Sequence, residues 1–398
     1  MHNLWFTAAA WMAVALVASL ISIRLGVSVA LVEIVLGVLA GNFLHFQTGE
    51  WINFLASFGA ILLTFLAGAE IDPVSLKTHW KAASAIGIVA FLLPFLGAWF
   101  VAYWVFHWDW HAAQIAGIAL STTSVAVVYA VMVDTGLNAT EVGKMILAAC
   151  FINDLGTVLV LGFLFASFTW WTLAFGVLLA LVLVFLPRVT RAVIRRLGAT
   201  RVSEPEVKFL FLVLFFLGGA AASVKSEAVL PAYLVGLVIA GVFLNDRVLM
   251  HRMRSIAFGL LTPFYFIKAG LLVSLPAVAA GALVIVALLA TKMAAKVAGI
   301  WPTGRLLGYP KRLNAYTMLL MSTGLTFGTI SALFGFENHL ITQTQYTVLV
   351  TVVILSAVVP TLIAQQFFEP DRAEAQFVPG RLAPPERGPE TLPEIATG

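Results

Sequence analysis

Thirteen apolar stretches, each close to the length that crosses a lipid bilayer as a helix, dominate the 398-residue sequence. A helix needs about 20 mostly apolar residues to span the hydrocarbon core. The residues are 61% hydrophobic and only 11% charged, which leaves too little polar surface for a soluble protein of this size. The sequence therefore predicts an all-α polytopic membrane protein. The predicted spans are 4–23, 28–44, 51–70, 82–105, 112–133, 142–166, 169–187, 207–223, 227–244, 256–273, 276–303, 314–335 and 344–367.

Positively charged residues orient these spans. Sixteen lysines and arginines fall in the loops on one side of the predicted bilayer, whereas the opposite loops hold only Lys225. Cytoplasmic loops carry the excess of lysine and arginine, so this distribution predicts a cell (inner) membrane protein with its N-terminus outside and its C-terminus in the cytoplasm. Residues 369–398 are rich in proline and poor in bulky apolar residues, and we expect a disordered cytoplasmic tail there.

Thirteen spans divide into six, one connector and six. Seven crossings separate the first span of each set, so the second set would enter the membrane from the opposite face. Two inverted repeats of this kind are the plan of many secondary transporters. The arithmetic permits two inverted six-helix repeats without proving them.

Five charged side chains fall within the predicted spans, and they are Glu33, Asp154, Lys268, Lys292 and Lys296. A charge at mid-bilayer costs roughly 2.5 to 3.5 kcal/mol even on the lenient insertion scale. Each of the five is therefore a candidate functional residue.

Asp154, in the middle of the sixth span beside Asn153, is the strongest of these candidates. A carboxylate in this position can alternately hold a proton and a monovalent cation, with a nearby ammonium as its charge partner. Lys296 is the best candidate for that ammonium, and Lys292 precedes it by one helical turn on the same face. Two alternatives stay open: Asp154 only fixes helix packing, and the lysines extend to the cytoplasmic headgroups.

The other two charged residues have weaker functional readings. Lys268 can reach a membrane interface, a lipid headgroup or a partner carboxylate. Glu33 lies close to the cytoplasmic start of the second span, and we expect an interfacial acid near the loops. Both are kept as accessory candidates.

Two spans carry hydroxyl clusters that predict interrupted helices. The fifth span holds four consecutive hydroxyl residues at 121–124, among them Thr122 and Thr123. The twelfth holds Ser322 and Thr323 with two nearby glycines. Hydroxyls compete with the backbone for hydrogen bonds, and paired interruptions in corresponding halves indicate a midplane substrate site. Close helix packing through small residues is the alternative explanation of the same composition.

With these features in place, the chain resembles the monovalent cation:proton antiporter superfamily over about residues 1–367. Residues 32–41 look like the family's early helix with a glutamate and glycines, and 63–72 resemble its phenylalanine, glycine and acid pattern. Residues 153–154 match its paired ion-binding positions, and 296–299 match its buried lysine followed by glycine. The membrane part is also similar to potassium efflux proteins of the Kef type, whose nucleotide-binding soluble domain we do not expect here.

The resemblance implies a homodimer in which a core moves as an elevator against a scaffold. It implies that Asp154 binds either the proton or the cation, with Na⁺ as the bound metal ion. It also implies that Asn153 assists Asp154 in this binding, and that Thr122, Thr123 and backbone carbonyls complete the coordination shell. The sodium/proton antiporter fold so implied has two crossed discontinuous helices. Its implied parts are a scaffold at 1–75 and 206–274, a core at 80–168 and 276–368, a connector helix at 169–200 and the tail at 369–398.

Two departures from the family pattern bear on the mechanism. Electrogenic members carry two acids where this chain has Asn153 and Asp154, so the single carboxylate predicts one cation exchanged per proton. Lys296 is nevertheless more typical of the two-acid branch. Thr323 and Leu325 also stand where many members have a charged pair around the glycine.

We therefore expect a secondary transporter, not an enzyme, that exchanges Na⁺ (or Li⁺ or K⁺) for H⁺ at Asp154 without a cofactor and without binding nucleic acid. The single cysteine excludes thiolate metal clusters. The open alternatives are a K⁺/H⁺ antiporter and a sodium-coupled symporter of an organic anion. A channel is a further alternative, although the sequence shows no filter motif.

Overall fold

The computed structural model describes residues 4–26, 28–44, 46–71, 73–137, 140–165, 169–197, 204–224, 228–371 and 374–377. The regular elements among these residues are all helical, and no strand occurs in them. The predicted all-α fold class is therefore confirmed. Lys225, Asp72 in the family-like pattern at 63–72, Arg201 in a predicted basic loop, and the predicted tail beyond residue 377 lie outside the described residues.

Seventeen α-helices follow one another along the described chain. They are α1 (Leu4–Leu25), α2 (Val29–Phe43), α3 (Glu50–Ala69), α4 (Pro73–Phe100), α5 (Trp110–Ser121), α6 (Val125–Asp134), α7 (Glu141–Leu164), α8 (Trp170–Leu197), α9 (Pro205–Ser223), α10 (Val229–Asn245), α11 (Arg247–Ile256), α12 (Thr262–Leu271), α13 (Leu275–Ala280), α14 (Ala282–Leu306), α15 (Lys311–Leu320), α16 (Thr326–Glu337) and α17 (Gln343–Phe367). A π-helical turn at Val101–Val105 extends α4, and a second at Ala257–Leu261 joins α11 to α12.

These helices coincide with the predicted spans. In the described part of the chain, eight helices are long and apolar enough to cross a membrane, and α2 and α10 are shorter apolar helices. The fifth, eleventh and twelfth predicted spans are each divided between two helices, α5 with α6, α13 with α14 and α15 with α16. The count of thirteen crossings stays a prediction, because length and composition do not place a bilayer.

Helix α8 continues well past the predicted span 169–187. Arg188 and Arg191 remain helical, and their side chains donate to the carbonyls of Val184 and Pro187 at 3.1 and 3.0 Å. Basic side chains near a helix C-terminus also interact favourably with the helix dipole. Apolar composition therefore marks the crossing segment, whereas the helix itself ends later.

Among the described residues, the closest glycine approaches between helix backbones join α2 to α12 and α3 to α10. A Cβ atom at Gly37 of α2 would collide with the carbonyl oxygen of Ile267 in α12, and one at Gly236 of α10 would collide with that of Phe65 in α3. Small residues permit such close approach between membrane helices. These four helices belong to the part of the chain predicted to form the scaffold.

The interrupted spans lie in the other part of the protein. Helix α16 packs on α5 and α17, α7 packs on α4 and α5, and α14 packs on α4, α15 and α17. This arrangement brings the two predicted interruptions, the middle of α7 and the lysine-bearing face of α14 into one region. The candidate site lies there.

Candidate functional site

The first interruption separates α5 from α6 at residues 122–124. Thr122 has an extended backbone, with φ −63° and ψ 152°. The hydroxyls of Ser121 and Thr122 donate to the carbonyls of Ile118 and Ala119 at 2.8 and 3.0 Å. Side chains thus occupy carbonyls near the helix end, which is how hydroxyl residues compete with helical hydrogen bonding. The predicted break in the fifth span is confirmed, and its hydroxyl residues are buried.

The second interruption separates α15 from α16 at residues 321–325. The hydroxyls of Ser322 and Thr323 donate to the carbonyls of Met318 and Leu320 at 2.7 and 2.8 Å. Both side chains are fully buried. The predicted break in the twelfth span is therefore also confirmed, with the same local chemistry as the first.

The two breaks contact each other directly. The backbone N–H of Ser124 donates to the carbonyl of Thr323 at 2.9 Å, and the Thr123 hydroxyl donates to the carbonyl of Met321 at 2.8 Å. A Cβ atom at Gly324 would lie 3.0 Å from Thr122 Oγ1. Only glycine allows the chains this close approach. The expected pair of crossed discontinuous helices is present.

Asn153 ties α7 to the first break. Its Oδ1 accepts from the backbone N–H of Thr123 at 2.9 Å, and its Nδ2 donates to the carbonyl of Ser121 at 3.2 Å. The side chain is fully buried. Two bonds to opposite ends of the amide hold it in one orientation and satisfy backbone groups that the interrupted helix leaves open.

Asp154 follows Asn153 and is 1% exposed. Its Oδ1 is buried and has no hydrogen-bond partner among the described residues. Buried polar atoms are nearly always bonded, because an unsatisfied one costs the desolvation free energy of the group. An unsatisfied carboxylate oxygen beside an opened helix is a place that a proton or a cation can occupy.

Lys296 extends from α14 to the first break. Its Nζ donates to the carbonyl of Ser121 and to the hydroxyl of Thr123, at 3.0 Å each. Ser121 is the last residue of α5, where the helix dipole favours a positive charge. Lys292 instead donates to the hydroxyl of Ser356 in α17 at 2.9 Å. Neither lysine forms an ion pair with Asp154, and any effect of either on that carboxylate through space stays a prediction.

Lys268 forms an ion pair with Glu337, the last residue of α16, with 2.6 Å between Nζ and Oε1. Of the three partners left open by the sequence, the structure therefore contains the carboxylate. The pair lines a cavity of about 130 Å³ between α3, α10, α12 and α16. It lies outside the crossing of the breaks.

Glu33 lies in the second turn of α2, but its side chain is buried between helices rather than exposed to water, and its place at the membrane interface stays a prediction. The residue is 2% exposed, and its Oε2 has no hydrogen-bond partner among the described residues. Gly37, one helical turn later, packs on the backbone of α12 and so draws this face of α2 against a neighbour. Helix packing rather than distance from the chain's loops decides its exposure.

Three residues of this region were missed by reasoning from the sequence. Ser356 contacts Lys292, Glu337 pairs with Lys268, and the Tyr233 hydroxyl donates to the carbonyl of Phe151 in α7 at 3.1 Å. Ser356 is a solitary hydroxyl in an apolar run, and Glu337 is an acid at the end of an interrupted span, so each left a weak signal. Tyr233 left none, because aromatic residues are frequent along the chain.

The arrangement can bind an ion through one carboxylate, an amide, hydroxyls and carbonyls. Within the described residues, no group of three or more His, Cys, Asp and Glu side chains could hold a metal ion. The oxygens at the crossing are instead of the kinds that coordinate hard cations. A single carboxylate among neutral oxygens matches a monovalent cation better than a divalent one.

Comparison with known proteins places the chain among cation/proton antiporters. It is 23% identical over 355 residues to the probable Na⁺/H⁺ antiporter 3 of Methanocaldococcus jannaschii, covering 86% of this chain and 89% of that one. It is 24% identical over 363 residues to the Na⁺/H⁺-K⁺ antiporter GerN of Bacillus cereus, covering 89% and 93%. The glutathione-regulated potassium-efflux protein KefC of Salmonella arizonae is 25% identical over 338 residues, which cover 78% of this chain and 52% of KefC.

A solved structure has the same fold. The sodium proton antiporter MjNhaP1 from Methanocaldococcus jannaschii superposes with a TM-score of 0.69 and 15% identity, covering 92% of this chain and 100% of that one. The family model described as sodium/hydrogen exchanger, transmembrane, matches residues 12–369. The chain therefore belongs to the sodium/hydrogen exchanger family within the monovalent cation:proton antiporter superfamily.

Proposed function

We propose that the protein exchanges Na⁺ for H⁺ across a cell membrane, with the two ions competing for Asp154. The observation that carries this proposal is the buried Asp154 Oδ1, which has no hydrogen-bond partner among the described residues. It follows Asn153, whose amide is bonded at both ends to the first break. The ionised carboxylate binds the cation, and protonation of the same group releases it. Membership of a family of cation/proton exchangers supports the same conclusion.

The rest of the cation shell comes from the first break. Asn153 Oδ1 accepts one hydrogen bond from Thr123 and keeps a lone pair for a cation. Thr122 and Thr123 add hydroxyl oxygens, and the extended backbone at Thr122 exposes carbonyl oxygens that a continuous helix would use internally. The ammonium of Lys296 offsets the partial negative charge at the C-terminal end of α5. Its own positive charge repels further cations, so that the shell holds one added positive charge at a time.

Alternating access follows if a core slides against a scaffold as an elevator. The proposed core comprises 80–168 and 276–368, the proposed scaffold comprises 1–75 and 206–274, and the connector at 169–200 corresponds to α8 over its described residues. The close contacts of α2 with α12 and of α3 with α10 support a rigid scaffold. The crossed breaks and the middle of α7 would move together as the core.

The Lys268–Glu337 ion pair joins the proposed scaffold to the proposed core. The Arg252–Glu206 pair has the same 2.6 Å separation but lies within the scaffold. Sliding of the core must break the first pair and leave the second intact. The Lys268–Glu337 pair therefore stabilises one of the two access states relative to the other.

Charge reversal at the joining pair is expected to slow exchange. Lys268→Glu and Glu337→Lys each place like charges together, and the double variant restores the attraction. We expect each single variant to lower the exchange rate and the double variant to recover most of it, with a coupling free energy of about 1 kcal/mol because Glu337 is partly solvated. Initial rates in proteoliposomes measure the exchange, and thermal unfolding of the same variants measures the coupling free energy.

The matched control reverses Arg252 and Glu206 in the same way. Those variants are expected to change the unfolding temperature while the exchange rate of folded protein stays native, because the pair lies within one moving part. An equal loss of exchange from both pairs would contradict the assignment of Lys268 and Glu337 to opposite sides of a sliding interface.

Purified protein in proteoliposomes tests the exchange itself. With an acidic lumen reported by a quenched dye, NaCl outside should collapse the proton gradient much faster than choline chloride does, and protein-free vesicles should not respond. LiCl and KCl in parallel rank the alkali cations. If none of these cations collapses the gradient faster than choline, cation/proton exchange is excluded.

The single carboxylate supports an electroneutral cycle. If a net charge moved, an imposed potential of 100 mV would change the driving free energy by about 2.3 kcal/mol per charge. We therefore expect the sodium-driven rate to be insensitive to potentials of either sign. A rate that depends on the membrane potential would reject the one-to-one stoichiometry but would not contradict cation/proton exchange.

Potassium is the second candidate substrate. The names of two relatives include it, the Na⁺/H⁺-K⁺ antiporter GerN and the potassium-efflux protein KefC. Carbonyl and hydroxyl oxygens of the kind found at the first break serve either ion, and cavity size decides between them. Faster collapse of the gradient by KCl than by NaCl would assign K⁺ as the substrate.

We further propose a homodimer with the N-terminus outside and the C-terminus in the cytoplasm. In the most apolar segment of α1 and in that of α8, only 17% of the residues are buried within the chain. This share is smaller than in any other long apolar helix described. Such helices are available to lipid and to a second copy. The distribution of lysine and arginine supports the orientation.

A further inference from the structure

Two lysines on α14 serve different breaks. Lys296 donates to Ser121 and Thr123 at the first break, whereas Lys292, one helical turn earlier, points to the second. Both side chains are fully buried. The two ammonium groups therefore have different hydrogen-bond partners within the same crossing.

Lys292 lies directly against the backbone of the second break. Its Nζ donates to Ser356 Oγ at 2.9 Å, and that hydroxyl lies 3.4 Å from the carbonyl oxygen of Gly324 and 2.9 Å from that of Val353. A Cβ atom at Gly324 would collide with Nζ and would lie 3.1 Å from the carbonyl oxygen of Thr122. The Lys292 nitrogen thus bonds the Ser356 hydroxyl of α17 and lies against Gly324, next to carbonyl and hydroxyl oxygens of both breaks.

No carboxylate accompanies this ammonium. Lys292 takes part in none of the ion pairs found among the described residues. A buried ammonium offers three donors and requires oxygen partners. Hydroxyl and carbonyl oxygens arranged in this way are equally the partners that hard cations take. The position that Lys292 fills therefore has the chemistry of a cation site.

We propose that Lys292 is a tethered cation that fills a monovalent-cation position at the second break and so confines the transported ion to the Asp154 side of the crossing. The inference rests on the proposed function, because it assigns the second half of the same crossing. Ser356 is the positioning residue that anchors the ammonium to Gly324. Lys292 thereby stabilises the end of α15 and repels a free cation from that half.

The first test replaces Lys292 by methionine, which keeps most of the length and removes the charge. With one of the two buried ammonium groups removed and Lys296 retained, the apparent KM for Na⁺ should fall by about threefold to tenfold, while kcat falls or stays unchanged. Loss of a merely structural side chain would not tighten cation binding. Lys311→Met, which removes an exposed charge at the start of α15, is the matched control and should leave the KM native.

The second test removes the Lys292 side chain, so that a free cation can enter the position that its ammonium fills. In an Asp154→Asn background, which removes the proposed transport site, Lys292→Ala should restore a dependence of the unfolding temperature on NaCl or KCl at constant ionic strength. Binding to the folded state alone raises the unfolding temperature with ligand concentration. Asp154→Asn combined with Lys311→Ala should show no such dependence.

Three outcomes would overturn the inference. They are a native KM in folded Lys292→Met, no added salt dependence in the double variant, and equal effects of the Lys311 control. If Lys292→Met does not fold, Ser356→Ala keeps the charge but loses the anchor, and faster amide exchange at 322–326 is expected; native exchange rates there would also reject the proposal. If these tests fail but the wild-type protein exchanges cations for protons, only the role of Lys292 is rejected and the proposed function still holds.

Discussion

Asp154→Asn is expected to lower proton-coupled sodium exchange in proteoliposomes by roughly 100-fold or more. Asparagine has nearly the same shape as aspartate, but it neither ionises nor releases a proton. The Asn153 bonds to Thr123 and Ser121 do not involve this side chain, so the crossing should stay assembled. Because the buried Oδ1 has no partner in the described protein, no internal hydrogen bond is lost with it.

The matched control for this variant is Asp109→Asn. Asp109 immediately precedes α5, is exposed, and makes no capping hydrogen bond with its side chain. Its neutralisation should leave both the exchange rate and the unfolding temperature native. Sodium-driven proton flux near the native rate in Asp154→Asn would show that another group carries the proton, and the single-carboxylate mechanism would then be wrong.

Gly324→Ala is expected to have the second large effect, through packing rather than charge. The added Cβ would collide with Lys292 Nζ and crowd both oxygens of Thr122. Overpacking of a dense interior costs about 1 to 3 kcal/mol, and here the shift would separate the two breaks. We expect a lower unfolding temperature and a loss of exchange of roughly tenfold or more, since about 1.4 kcal/mol corresponds to a factor of ten.

A glycine in open surroundings separates the effect of the site from that of the residue type. No atom of the described residues lies within 4 Å of a Cβ atom built on Gly176 in α8. Alanine is favoured over glycine inside a helix by about 1 kcal/mol, so Gly176→Ala should not lower the unfolding temperature. Native exchange in Gly324→Ala would show that the crossing tolerates a wider separation than its contacts indicate.

The two substitutions also distinguish chemistry from assembly. Asp154→Asn should lose exchange at a native unfolding temperature, whereas Gly324→Ala should lose both together. If Asp154→Asn instead unfolded readily, the carboxylate would have a packing role, which is the alternative that its sequence position left open.

The helical fold and its interruptions could be predicted because their causes are local. Twenty apolar residues in a row have few stable alternatives to a membrane helix, since every backbone polar group must be bonded internally. The hydroxyl runs at 121–124 and 322–323 capture carbonyls within their own turns. Both properties depend on neighbours along the chain and are therefore visible without a tertiary structure.

The partners of the charged residues could not be predicted in the same way. Lys268 and Glu337 are far apart in sequence, and only the tertiary structure places their charged groups 2.6 Å apart. Glu33 was expected near water because it lies early in its span, but the glycine contact between α2 and α12 buries it. Contacts between helices decide both cases, and no local pattern encodes them.

The sequence by itself determined that this chain is an all-α membrane protein, that two of its helices are interrupted, and that Asp154 is its deepest acid. The membrane helices and the place of the acid follow from the free energy of placing each residue type in hydrocarbon, and the interruptions follow from hydroxyls that compete for backbone hydrogen bonds. Only the tertiary structure decided that the interruptions touch, that Asn153 joins α7 to the first of them, and that Lys296 and Lys292 face different breaks. Those contacts depend on the directions in which side chains leave their helices after packing, which spacing along one helix does not specify.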